Sequence, residues 1–202
     1  MKHVLRYALP IYYILYLFTA FFWRSYIVWR RTGERTFHLR SSETAHDFVG
    51  RLYRLITLAS AIVIVLYSLY EPGYQKLVPI PWLQNNTFTL VGCGMLICSL
   101  LFILIAQLQM GNSWRIGIDQ ENETKLVQTG LFRFSRNPIF LGVRLNLLGF
   151  LLVLPNAFTL VILVLGDVIL QIQVRMEEEF LTQQHGESYE AYKRSVPRWL
   201  IL

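Results

Sequence analysis

Charge is scarce in this chain: 16% of its 202 residues are Asp, Glu, Lys or Arg, against 54% hydrophobic residues. With a mean hydropathy of +0.40, that composition excludes an ordinary soluble domain. Cysteine is almost missing. Cys93 and Cys98 lie in one apolar run with no histidine nearby, which excludes a disulfide framework or a zinc cluster and leaves them as small buried residues. The four histidines (His3, His38, His46, His185) are scattered, which argues against a metal centre. No Gly-x-Ser-x-Gly, His-Glu-x-x-His, phosphate loop or Gly-x-Gly-x-x-Gly is present, so nucleophilic hydrolysis and soluble nucleotide-binding units are unsupported. No nucleic-acid-reading motif accompanies the net charge of +6, and no nucleic-acid partner is expected. The charge reports loop orientation and contact with anionic headgroups. Arg6 and Pro10 interrupt the first apolar stretch, and no small-residue cleavage site precedes Arg24, so a cleavable leader is not read.

What is present is a set of apolar runs separated by blocks of charge, the pattern of an all-α polytopic membrane protein. Five segments are expected, at about 8–23, 55–70, 88–108, 138–154 and 157–174. Only Pro155-Asn156 divides the last two, so they form an antiparallel hairpin. The 24–54 loop carries seven arginines against three acids, whereas 71–87 carries the single basic residue Lys76. The positive-inside rule therefore places 24–54, 109–137 and the tail in the cytoplasm, with 71–87 and the N-terminus outside. The 24–54 segment reads as a surface helix or a partly ordered loop. The tail from Arg175 to Lys193 reads as a C-terminal amphipathic helix punctuated by Gly186, with Tyr189 and Tyr192 packing inward. Residues 1–108 then form an N-terminal membrane region, and 109–202 a second region holding the chemistry.

Two polar clusters concentrate that chemistry. The stretch from Thr124 to Gly142 ends in Arg136-Asn137-Pro138 and runs straight into an apolar span. Proline at the first helical position loses no hydrogen bond, so Pro138 marks a helix mouth whose free N–H groups can meet a polar ligand. The second cluster, Arg175 to Glu179, closes the hairpin; its helix is expected to continue past the three glutamates, because a helix C-terminus disfavours negative charge. These carboxylates either form a solvated rim, pair with Arg133, Arg136 or Arg175, or accept ligand hydroxyls. Within the hairpin, Arg144 and Asp167 lie at similar depths, and each is expensive in hydrocarbon. A salt bridge locking the hairpin is the economical reading; binding of a substrate carboxylate by Arg144 is the sharper one. Gln109 to Arg115 reads as an ordinary helix exit.

From Gly111 to Arg198 the chain resembles the isoprenylcysteine carboxyl methyltransferase family of integral membrane methyltransferases, including bacterial relatives and the phospholipid N-methyltransferases. The resemblance rests on an ordered set of pieces. Gly111, Trp114 and Arg115 come first, then Leu126, Val127, Gly130 and Phe132. Arg136, Pro138, Phe140 and Gly142 follow. Beyond the hairpin come Glu177, Glu178 and Leu181, then Gly186, Tyr189 and Tyr192, and finally Val196-Pro197-Arg198. The resemblance implies a cytosol-facing S-adenosylmethionine pocket formed by Thr124, Lys125, Leu126, Val127, Phe132, Asn137, Pro138, Ile139, Phe140 and Glu177. It also implies a lipophilic acceptor, such as an isoprenylated cysteine or a related lipid, entering sideways from the bilayer. Fifteen arginines against four lysines point to a bacterial inner membrane.

The departures from the family pattern bear on the acceptor. Thr124 replaces a frequent histidine, Arg-Asn-Pro replaces Arg-His-Pro, and Phe132 and Phe140 replace tyrosines. Gln173 stands where the family has its substrate-orienting arginine, with Arg175 two residues on. Arg175, Gln173 and Arg136 are the candidate catalytic residues, and Arg144 the candidate substrate contact. Two rival readings remain: an NADPH-dependent membrane sterol or enoyl reductase, and a non-catalytic membrane scaffold. The first would require an asparagine-tyrosine pair near Pro138 and a later cysteine, which this chain lacks.

Overall fold

The computed structural model describes residues 1–32, 45–111 and 126–200. Helices form where the apolar runs lie. Helix α1 (Lys2–Leu17) passes through a π-helical turn, Phe18–Trp23, into α2 (Arg24–Thr32). Then come α3 (Ala45–Leu69), a short α4 (Glu71–Gln75) and α5 (Asn86–Met110). A 3-10 turn, Gly130–Arg133, leads to α6 (Pro138–Val153), α7 (Ala157–His185) and α8 (Glu187–Ser195). No strand occurs among the described residues, apart from an isolated bridge between Pro79 and Asn156. Four helical stretches are long and apolar enough to cross a membrane: Lys2–Arg30, Asp47–Leu69, Asn86–Met110 and Ala157–His185. With α6, an apolar helix of 16 residues, they make an all-α polytopic membrane protein.

The spans run longer than the hydropathy suggests. Pro10 sits inside α1 without ending it. Much of the basic 24–54 segment is helical, belonging to α2 and α3; residues 33–44 lie outside the described residues. The last span continues from 174 to His185, so the amphipathic tail helix is only α8, and Gly186 (φ 53°) makes the break between the two. Cys98 is exposed rather than buried, while Cys93 is partly buried.

Contacts fix which ends share a membrane face. An Arg6–Glu71 ion pair joins the start of α1 to α4. The Ile80 N–H donates to the Pro155 carbonyl at 2.9 Å, and the Ala157 N–H to the Val78 carbonyl at 3.0 Å. The N-terminus, the 70–85 connection and the hairpin turn therefore lie together. The end of α5, the mouth of α6 and the end of α7 lie at the other face.

Helices α5 and α6 approach at backbone distance, as small residues permit in lipid. A Cβ on Gly149 would fall 2.9 Å from the Gly92 carbonyl oxygen, and a Cβ on Gly92 would fall 2.9 Å from that of Gly149. Ser99 donates to the Gly142 carbonyl at 2.7 Å in the same seam. The hairpin turn is held by an Asn156–Thr159 capping box, with both residues fully buried. Deeper in the hairpin Arg144 pairs with Asp167, and the Trp199 ring lies over its guanidinium at 4.1 Å. On the α1 side, Asn146 donates to the Tyr12 hydroxyl at 2.8 Å, and that hydroxyl donates to the Leu96 carbonyl at 3.0 Å. These groups border a cavity of about 40 Å³ edged by Tyr13, Tyr16 and Tyr53.

Gly149→Ala is expected to force the α5–α6 seam apart and to destabilise the detergent-solubilised protein by about 1–3 kcal/mol. Gly94→Ala has open space around its new methyl group. It is expected to leave the thermal midpoint unchanged, so paired melting curves check the claim.

Candidate functional site at the mouth of helix α6

The site begins with Ser135-Arg136-Asn137, the residues that deliver the chain into α6. The tail holds their backbone. The Arg136 N–H donates to the Pro197 carbonyl at 3.0 Å, and the Ser135 hydroxyl donates to that of Arg198 at 3.2 Å. Glu178, buried at 4% exposure, gathers the surrounding charges. Its Oε1 accepts from Arg136 Nε and Nη2 at 3.2 and 3.1 Å and from Asn137 Nδ2 at 3.0 Å. Arg198 donates to both carboxylate oxygens, closest at 2.7 Å from Nη2 to Oε2. Charge-assisted bonds of this kind are the strong ones, and the planar guanidinium fork matches the carboxylate. Glu178 in turn holds the Arg198 guanidinium above the usual arginine range.

Arg136 also reaches the end of α8, where Nη1 donates to the carbonyls of Lys193 and Val196 at 2.9 and 3.2 Å. A cation there satisfies orphan carbonyls and complements the helix dipole. Tyr192 completes the clasp by donating its hydroxyl to the Phe132 carbonyl at 2.6 Å. Burial pushes that phenol up to about 12, so it stays a donor at neutral pH. Leu126 and Leu181 pack on Tyr189, Tyr192 and Val196 in a small separate core. The loop's other flank is pinned by Gln109, whose Oε1 accepts from the Leu131 N–H at 2.7 Å. Gly130 (φ 64°) lies so close to that amide that a Cβ would overlap it.

The arrangement leaves two complementary features open. The Asn137 side chain is committed to Glu178 and does not cap α6. The N–H groups of Ile139 and Phe140 therefore have no acceptor among the described residues. Glu177, half-buried beside Glu178, has no hydrogen-bond or ion-pair partner among them either. A donor surface at the α6 N-terminus is thus tied through Asn137 and Glu178 to the helix that carries Glu177.

Of the residues singled out from the sequence, Leu126, Phe132, Asn137 and Pro138 are built into this clasp, with Val127 and Ile139 beside them in the chain. Glu177 adjoins it through Glu178. Phe140 turns toward the main apolar core. Thr124 and Lys125 lie outside the described residues. Arg136 is engaged by Glu178 and the α8 carbonyls. Arg175 is exposed and folds back on its own helix, donating to the Gln171 carbonyl and side chain at 2.8 Å. Gln173 is half-buried one turn before Glu177. Arg144 lies deeper, held by Asp167 and Trp199.

Sequence alone does not disclose the roles of Glu178 and Arg198. Val196-Pro197-Arg198 stands out as a motif, but only the fold shows that it closes on Arg136.

Glu178→Ala would strand two guanidinium groups in a largely buried setting. The expected loss is about 3–5 kcal/mol of stability. Glu179→Ala, at the exposed neighbour, is expected to change it by less than about 0.5 kcal/mol. Thermal unfolding of both variants in detergent measures the difference.

Two comparisons with known proteins bear on the family of the chain. A family model described as phospholipid methyltransferase matches residues 87–188, which takes in α5, α6 and α7. The chain is also similar to the protein-S-isoprenylcysteine O-methyltransferase of Saccharomyces cerevisiae, at 30% identity over 122 residues. The match covers 56% of this chain and 49% of the yeast protein, so the chain spans about half the length of that relative. With the matched region reaching past half of its residues, the chain belongs to the phospholipid methyltransferase family.

Proposed function

We propose that this membrane protein is an S-adenosylmethionine-dependent methyltransferase acting on a lipophilic acceptor. The observation that supports the reading is the uncapped N-terminus of α6, joined by Asn137 and Glu178 to the helix that bears the unpartnered Glu177. The cofactor brings a carboxylate, an ammonium group and ribose hydroxyls. The free N–H groups of Ile139 and Phe140 suit the first, and Glu177 suits the others. Leu126, Val127, Phe132, Asn137 and Pro138 supply the surrounding wall.

When bound, S-adenosylmethionine supplies an electrophilic methyl group on a sulfonium. The chain's own work is then alignment and exclusion of water, which need no metal. The clasp serves both ends by fixing the loop, the mouth of α6 and the end of α7 relative to one another. The acceptor, embedded in the bilayer, reaches this level from the side.

The arginines bear on which nucleophile accepts the methyl group. Among Arg133, Arg136, Arg144, Arg175 and Arg198, only Arg133 has no partner within the described residues. A carboxylate acceptor such as isoprenylcysteine would call for a free, buried cation. Arg136 and Arg144, the best placed, already have their guanidinium donors engaged, the first by Glu178 and the α8 carbonyls and the second by Asp167. That favours an amine or hydroxyl acceptor over a carboxylate.

Calorimetric titration of S-adenosylhomocysteine into the solubilised protein is expected to show binding. Glu177→Ala is expected to weaken it at least about tenfold, as loss of one charge-assisted hydrogen bond implies. Unchanged affinity in that variant would sink the proposed pocket. A radiolabelled methyl screen of phosphatidylethanolamine and a prenylcysteine, in parallel vesicles, is expected to label the amine lipid first.

A further inference from the structure

The amide of Gln107 is 1% exposed, three residues before the end of α5. Its Nε2 donates to the Ala20 carbonyl at 3.1 Å, which settles the orientation of the amide. Its Oε1 is buried and has no hydrogen-bond partner among the described residues. Leaving a buried acceptor unpaired is costly, so the arrangement calls for a donor from elsewhere. Ala20 belongs to the π-helical turn of α1, and single π turns inside α-helices recur at functional sites.

Helix register shows where this oxygen lies. Helices α5 and α6 run antiparallel, with Gly92 against Gly149 and with Ser99 and Ile103 against Gly142. Advancing one turn along α5 from Ile103 reaches Gln107, and one turn back along α6 from Gly142 reaches Pro138. Gln107 thus stands on the stripe of α5 that faces the mouth of α6. It stands at the level of the same helix terminus whose Ile139 and Phe140 N–H groups are open among the described residues. At this level the mouth of α6 offers donors, and α5 offers a lone acceptor.

We infer that Gln107 Oε1 accepts a hydrogen bond from an N–H or O–H donor of the ligand held at the mouth of α6, with Ala20 holding the amide in the required orientation. The inference rests on the proposed cofactor and acceptor sites, and it makes Gln107 a specificity-determining contact. The donor belongs either to the cofactor's amino group or to the acceptor headgroup; both present the same chemistry to the oxygen.

The test is a thermodynamic cycle on the full-length protein in lipid nanodiscs. Wild type, Gln107→Met and Gln107→Glu are titrated with S-adenosylhomocysteine and with its analogue lacking the amino group. A second arm uses phosphatidylethanolamine and phosphatidylcholine, the latter lacking an N–H donor. Gln107→Met is expected to weaken the donor-bearing probe of one arm about tenfold or more, while the donor-free probe changes less than about twofold. Gln107→Glu, protonated when buried, keeps an acceptor and a donor and is expected to recover binding to within about threefold.

Coupling in the first arm assigns the contact to the cofactor, and coupling in the second assigns it to the acceptor. A purely structural role, in which loss of the Ala20 tie loosens the helices, would weaken both members of each pair equally and overturns the inference. Wild type that binds each pair without regard to the donor also overturns it, while leaving the proposed function standing. Wild type that binds none of the four probes overturns both.

Discussion

One buried carboxylate organises the membrane-surface end of this protein. Glu178 sits on α7, and two separate parts of the chain converge on it: Arg136-Asn137 just ahead of α6, and Arg198 in the tail beyond α8. Two guanidinium groups around one buried carboxylate leave a residual positive charge, with Arg136 largely covered and Arg198 partly exposed. Such a cluster is tolerated only when its remaining donors are also satisfied. The carbonyls at the end of α8 accept from Arg136, and the fork of Arg198 spans both oxygens. The placing of the α6 mouth against the end of α7 is therefore a by-product of satisfying this cluster.

The apolar part of the fold has a different logic. Inside the bilayer there is little hydrophobic gain from pressing one helix onto another, so close approach and buried hydrogen bonds do the joining. The Gly92–Gly149 contact and the Ser99–Gly142 bond bring α5 to α6. Asn146, Tyr12 and the Leu96 carbonyl then tie α1 into the same bundle. This places the π turn of α1, the end of α5 and the mouth of α6 at one level.

The sequence discloses the spans and the hairpin because long, nearly uncharged apolar runs belong in hydrocarbon. It discloses the Arg144–Asp167 pair for a related reason: two opposite charges at equal depth need each other there. Boundaries are less legible. Arg175 to Glu179 looks like a polar exit, yet α7 runs on because Glu178 finds its counterions in segments about 40 residues upstream and 20 downstream. Nor can composition tell Glu177 from Glu178. Adjacent helical residues differ by about 100° in direction, and only the packed structure says which one faces the arginines. Gln107 is the hardest to recognise, since a glutamine near the end of an apolar run passes for an ordinary helix exit until its burial is known.

The Arg144–Asp167 pair also constrains biogenesis. Each residue alone disfavours entry of its helix into the hydrocarbon by about 2.5–3.5 kcal/mol near the centre. Helix α6, at 16 residues, has little apolar length to offset that. Partnered, the two charges largely cancel, but the partner of Arg144 is synthesised 23 residues later, beyond the turn. During synthesis the first helix of the hairpin must therefore wait, and both halves partition laterally into lipid as one unit.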